Sequence, residues 1–428
     1  MSLLQAKQEA TAAQLSGTSV PAGAGWITAL REDALARVRQ MGLPTRRDEY
    51  WKYTRPETLV EAAVKPAAPF KHDEAPLFDE INRLKIVFVD GVFDADASDD
   101  LSGENLTIER LADVAQADIH WAKDIYGVLE TRGQTPVDRP LAAYNTAMAT
   151  DGVVIRVTGE VSRPINLIYK HESDVSDVVL HHVVKVEEGG KVTLLENGPA
   201  AARFNNVLEV EIADKAEFHH VRAQGRDHER RAATHMFTRL GTESVFKSFT
   251  LTVNGVLTRN DCVIELTGDD AIAHVAGACV GDGDFHHDDT VFITHDAVAC
   301  ESRQVFKKVL RNGATGVFQG KILVKAGAQK TDGYQISQSL LLDGDSQFLA
   351  KPELEIYADD VACSHGSTSG AIDEEGLFYL RARGVPKDIA TDLLTLAFLA
   401  EAVDEIEDAD LAGEILGRLE GWLERRRG

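Results

Sequence analysis

The spacing of apolar residues changes character twice along the chain. Residues 1–150 read mainly as helix. GWITALREDALARVRQMG sets Ile27, Leu30, Leu35 and Val38 on one helical face and stops at Gly42 and Pro44. A short segment with three aromatics, PTRRDEYWKYTRPETL, follows between prolines. LKIVFVDGVFDA, Leu84 to Ala95, predicts a strand, a turn and a second strand, and residues 106–150 return to a helical pattern.

Residues 151–370 predict short β segments instead: VVIRVTG, INLIYKH, VVLHHVVKVEEGGKVTLLE and NNVLEVEIADKAEFHHVRA, among others. Turn signals such as EEGG, GDGD, RNG and DGDS separate them. Small residues recur at the corners, with Ala314, Ala328, Ser346 and Val361 spaced 14, 18 and 15 apart. A β-sandwich would show a similar density of strands. Weak alternation and small corners favour a solenoid whose strands stack turn on turn, a parallel β-helix. From residue 371 to 428 the pattern is helical again. Ile389, Leu393, Leu396, Phe398, Leu399 and Val403 mark one amphipathic helix, and Leu411, Ile415, Leu419, Trp422 and Leu423 another. Such a pair either caps the open end of a solenoid or docks another protein; capping is the plainer expectation.

Charge narrows the partners. With 69 acidic and 45 basic residues the net charge is −24, which repels nucleic-acid phosphates and anionic lipid. No stretch approaches the roughly 20 apolar residues of a membrane span. The start lacks a basic segment followed by an apolar core, so no signal peptide is expected. Cys262, Cys279, Cys300 and Cys363 are widely spaced and form no CxxC. That pattern suits a reducing compartment, and the cytoplasm is the expected location. GxGxxG and GxxxxGK[ST] are both missing, so no nucleotide is expected on this chain.

Two clusters invite chemistry. GDGDFHHDDTVFITHD holds His286, His287, Asp288, Asp289, His295 and Asp296. On a strand His287 and Asp289 share one face and His286 and Asp288 the other. His286, His287 and Asp289 are therefore candidate metal ligands, against the plainer reading that they line a polar edge or hydrogen-bond across solenoid turns. In each of His181-His182 and His219-His220 one ring points in and one out, and these are read as structural. YADDVACSHGSTSG places Cys363 and His365 on the same side of an extended strand. A thiol and an imidazole so placed suit a metal, a nucleophile with its base, or a packed bend. No GxSxG elbow supplies the rest of a hydrolase.

The block KPELEIYADDVACSHGSTSGAIDEEGLFYLRARGVP resembles the C-terminal signature of the SufB/SufD family of iron–sulfur cluster assembly proteins, and more closely its SufD branch. DEYWKYT and ACESRQVFKKVLRNGATGVFQGKILVKAGAQKTDGYQISQSLLL carry the same resemblance. It implies a right-handed parallel β-helix core (151–370) between an N-terminal helical region (1–150) and a C-terminal helical domain (371–428) where the ATPase docks. It further implies a complex with a SufB-like paralogue and a SufC-like ABC-type ATPase, with a nascent iron–sulfur cluster forming between the two β-helix proteins. His365 matches the histidine of the family's CxHG motif, which the SufD side is thought to contribute; Cys363 matches the same motif with a less clear role. Where SufB-like chains carry a scaffold Cys, Gln338 falls near the position here, and His365-Gly366-Ser367 replaces the SufB ending HEA. This chain alone would not then supply a full ligand set. Arg381 and Arg383 are candidates for the ATPase interface, or else simply pair with Asp373, Glu374 and Glu375. The expected role is a non-catalytic scaffold subunit, with ATP chemistry in the partner and a homodimer conceivable for the isolated chain. Two other readings stay open: a β-helix enzyme using the HHDD cluster in a carboxylate-lined groove, and a homo-oligomeric metal-storage protein.

Overall fold

The computed structural model describes residues 2–69, 76–225 and 229–425. Its centre is a flattened coil that lays one strand in each of two ten-stranded sheets per turn. Sheet I runs from the hairpin Leu84–Val89 and Val92–Asp94 through Ile165–Lys170 to its last strand, Ala362–Gly370; sheet II ends at Gln347–Ile356. Neighbouring strands inside the coil are parallel and in continuous register. Leu257 pairs with His286, 29 residues on, and Thr315 with Gln347, 32 on. This mainly β coil with helices at both ends is the parallel β-helix expected from the sequence. Ala314, Ala328 and Ser346 are buried at its corners, where only a small side chain lets the chain turn without opening the stack. The 14- and 18-residue steps are half-turns, and their sum is the 32-residue rise at that corner.

Both outer faces of the coil are covered. This is why the strands read as near-continuous apolar runs rather than clean alternation. Helices α1 (Leu3–Gln14), α2 (Gly25–Met41) and α3 (Pro140–Met148) lie in the cover over sheet II. Ile27 packs with Val183, Val207 and Phe237, and Leu35 and Val38 with Leu141 and Ala233. α2 ends as predicted at Gly42, whose φ of 73° suits glycine. On the opposite flank α5 (Lys387–Val403) and α6 (Ala409–Glu424) follow the short α4 (Glu374–Arg381). Leu399, Val403, Leu411, Ile415, Leu419 and Trp422 bury against Val221, Phe249, Leu251, Ala278 and Val309 of sheet I. Capping is therefore not what these helices do. An amphipathic face demands a partner surface but does not say which, and the apolar outer face of sheet I supplies one. The last strand of each sheet is left only half-covered or exposed.

The DEYWKYT segment fastens the cover to sheet II. Thr54 donates to Asp288 at 2.5 Å, Trp51 stacks on the Arg259 guanidinium at 4.2 Å, and the Tyr50 carbonyl accepts from Arg259 and Gln319. Asp288 is fully buried and also takes the Arg259 charge at 2.6 Å. Asp288→Ala leaves that guanidinium half-compensated, and the expected cost is about 3 kcal/mol. The loss should show as faster hydrogen exchange in residues 25–60. Unchanged protection there would disprove the clamp.

Candidate functional site

The last strand of sheet I, Ala362–Gly370, carries the Cys-Ser-His segment. It pairs in parallel with Asp332–Leu341, Gly333 beside Cys363, Gln335 beside His365, Ser337 beside Ser367 and Ser339 beside Ser369. These residues share the inner face, as alternation requires. Ser337 donates to Ser367 at 3.1 Å, and Ser339 and Ser369 are 2.8 Å apart. So the coil's interior is lined by small polar side chains at its open end. Cys363 is half-buried against Ile322 and Val324, while His365 is exposed. The other three cysteines are buried, and burial pushes the Cys262 and Cys279 thiols up to about 12. Cys363 is raised too, by partial burial, but it alone of the four has solvent access. The structure thus brings Cys363 and His365 to one face of one accessible rung.

Sequence reasoning missed what lies beneath them. Gln304 and Gln335 occupy the rungs below His365 in the same column and are fully buried. Neither amide finds a hydrogen-bond partner among the described residues. Gly320 makes room for Gln335, since a Cβ there would meet its Oε1 at 2.5 Å. The spacing Gln304, Gln335, His365, in steps of 31 and 30, equals the coil's own repeat. That was the signal available, once the period was known.

Deeper inside, a connected polar column runs through the coil. Tyr169 and His220 bond Glu196 at 2.8 and 2.9 Å, and Arg222 meets it at 2.6 Å. Arg222 donates to Thr234, Thr234 to Asn260, and Asn260 to Asp289, which Lys308 closes at 2.6 Å. This column absorbs half of the HHDD cluster. His287 and Asp289 point in and are held by Lys308; His286 and Asp288 point out, toward Thr54. The candidate metal set His286, His287 and Asp289 is therefore corrected. The strand pleat splits it, and the Lys308 ammonium already supplies the positive charge an ion would bring. Among the described residues no group of three His, Cys, Asp or Glu side chains is placed to hold a metal. Asp288 and Asp289 are buried rather than lining a groove, which removes the basis of the enzyme reading. The paired histidines behave as expected. His182 and His220 turn inward to Tyr169 and Glu196, and His181 and His219 outward to Glu209 and Glu407.

Arg381 and Arg383 are both exposed at the end of α4. Among the described residues neither meets a carboxylate; Arg383 stacks on Tyr379 at 3.3 Å, and Asp373 caps α4 by accepting from the Glu375 amide. Phe378 and Tyr379 beside them are 74% and 55% exposed. The result is a cationic, aromatic patch on an acidic chain.

The two-sheet coil, covered on both flanks, thus ends in one open rung that carries Cys363 and His365 on the same face. The family described as "SUF system FeS cluster assembly, SufBD core domain" matches residues 169–398, and "SufBD protein N-terminal region" matches 22–167. The chain belongs to the SufB/SufD family of iron–sulfur cluster assembly proteins. It is 27% identical over 405 residues to the iron–sulfur cluster assembly protein SufD of Escherichia coli, covering 90% of each chain. An iron–sulfur cluster assembly SufBD family protein of Synechocystis is 27% identical over 90% of this chain and 88% of its own. SufD of Bacillus subtilis is 29% identical over 280 residues, 63% of each chain.

Proposed function

We propose that this chain is a non-catalytic, cytoplasmic scaffold subunit that pairs with a SufB-like paralogue through its open rung and presents His365 to a nascent iron–sulfur cluster at the junction. The observation that carries this reading is the edge strand Ala362–Gly370. A free edge is a template for another strand, and soluble proteins usually blunt one with Lys, Pro or charge. Gln347–Ile356 has Lys351 and Pro352; ACSHGSTSG has neither, nor any Asp, Glu or Arg. It is nine residues of bare edge with the exposed imidazole on it. In isolation the same edge would pair with a second copy. A neutral imidazole in place of a thiolate lowers the negative charge on the cluster and loosens the grip, as a site that must release its product requires.

The patch of Phe378, Tyr379, Arg381 and Arg383 is the surface we assign to the SufC-like ATPase, with the nucleotide on that partner. Its helices are tied to the coil: Glu401 of α5 meets the buried Lys307 at 2.5 Å, which also bonds Gln338, and Glu405, just beyond α5, meets Arg303 at 2.7 Å. A pull on α5 therefore reaches the strand paired with the His365 strand. The test is His365→Ala in the co-expressed complex, purified without oxygen, with iron and sulfide measured per complex. A loss of about tenfold or more is expected while the complex still assembles. Full cluster yield would rule out the ligand role.

A further inference from the structure

The segment that clamps the cover to sheet II carries charge that the fold itself does not use. Tyr50, Trp51 and Thr54 are buried against the sheet, while Arg46, Arg47, Lys52 and Arg55 around them are exposed. Among the described residues none of these four cations forms an ion pair. The two acids between them are already committed, Asp48 to Lys7 at 2.8 Å and Glu49 to Lys351 at 2.7 Å. The exposed Glu57 just beyond offsets one charge at most. A basic strip is thus left bare on a chain whose net charge is −24.

The strip borders the open rung. The Tyr50 hydroxyl donates to Glu353 at 2.5 Å and the Lys351 ammonium lies 4.0 Å from the Tyr50 ring centre. Both partners belong to Gln347–Ile356, the last strand of sheet II. Thr54 meets Asp288, only two strands back. Strands lie about 4.8 Å apart, so the stretch from Tyr50 to Thr54 stays within about 10 Å of the end of the sheet. That is close to the screening length in physiological salt.

A bare edge accepts many strands, so the choice of partner falls to what flanks it. Two Ala362–Gly370 edges that meet antiparallel are related by a two-fold axis normal to the sheet, which keeps like faces together. The basic strip of one copy then stands across the seam from that of the other, and the two repel. Acidic side chains at the same place on a different chain are attracted instead. Nucleic acid is a poor match, because the rest of the surface repels phosphate.

We propose that Arg46, Arg47, Lys52 and Arg55 decide which chain the open rung accepts: they oppose a second copy and select a protein partner with an acidic surface beside its own edge. The inference rests on the pairing of Ala362–Gly370 proposed above and adds what chooses the partner.

The probe is a charge-reversed copy, R46E/R47E/K52E/R55E, which keeps the rung and carries an acidic flank. Sedimentation at low salt compares the unaltered chain, the reversed chain and their equimolar mixture. The mixed pair should be at least tenfold tighter than either self-pair, and the gap should close at about 0.5 M sodium chloride. Equal affinity for all three pairings, or a gap that salt does not narrow, overturns the proposal and leaves the open rung standing. No pairing in any combination removes the open-rung reading and this inference with it. Should the quadruple variant not fold, R46E/R47E is put through the same comparison. The mixed pair must again be the tightest, and three equal pairings overturn the proposal.

Discussion

Replacing Glu196 with alanine should destabilise the protein by about 4 kcal/mol at neutral pH, among the largest effects of any single exchange in the coil. Glu196 is 2% exposed and accepts from Tyr169, His220, Arg222 and, at 3.3 Å, Asn206. Burial alone would raise its pKa. The Arg222 charge and the His220 bond outweigh that and hold it well below the usual carboxylate range. Alanine removes the acid and strands Arg222 inside the coil with only Thr234 to meet it. Denaturant unfolding at pH 7 measures the loss. The double replacement Glu196→Leu with Arg222→Met should recover most of it, because an apolar pair of similar volume avoids the desolvation of both charges. A double variant as unstable as the single one would contradict the assignment.

The second large effect is acid sensitivity from buried histidines. Burial pushes His182 and His295 down to about 4, so both are neutral when folded near neutral pH. Unfolded, they take up protons below about 6.5. Their stabilising contribution is whole above pH 6.5 and is lost as the pH falls from 6.5 to 4, by about 3 kcal/mol each. The buried His181–Glu209 pair, 2.8 Å apart, adds little slope there. Burial shifts the acid up and the base down, so the pair keeps one proton folded, and unfolded it also holds one between 4.5 and 6.5. Urea midpoints measured at steps across this window should fall steeply, and His295→Asn should flatten the slope. A flat profile would mean that these imidazoles are charged inside the fold.

Much of this architecture was legible in the chain, for reasons that can be named. Ala314, Ala328 and Ser346 marked the corners because a tight turn tolerates only small side chains. Gly42 marked the end of α2 because a positive φ favours glycine. Leu411, Ile415, Leu419, Trp422 and Leu423 all proved buried. What stayed hidden depends on contacts far apart in sequence. The docking of α5 and α6 on the flank of the coil could not be read from their own periodicity. Nor could the fate of HHDD, which hangs on Lys308 and Thr54. Cys363 and His365 were found by motif, whereas the bare edge and the unpartnered Gln335 below them appear only once strands are in register.

The two ends of the coil are unlike, and that limits how many chains a stack can hold. The far end of sheet I is closed by the three-residue strand Val92–Asp94 and that of sheet II by the two-residue strand Ser102–Gly103, both running antiparallel to their neighbours. Strands so short offer no template for a further chain. Among the described residues, the long edge without Lys, Pro or acid is therefore the rung that carries His365. In the pairing proposed above, two such rungs would each cover the other's long edge. An assembly of that kind would stop at a pair, and a fold that in other settings invites fibres would be confined to a finite particle with a single seam at its centre.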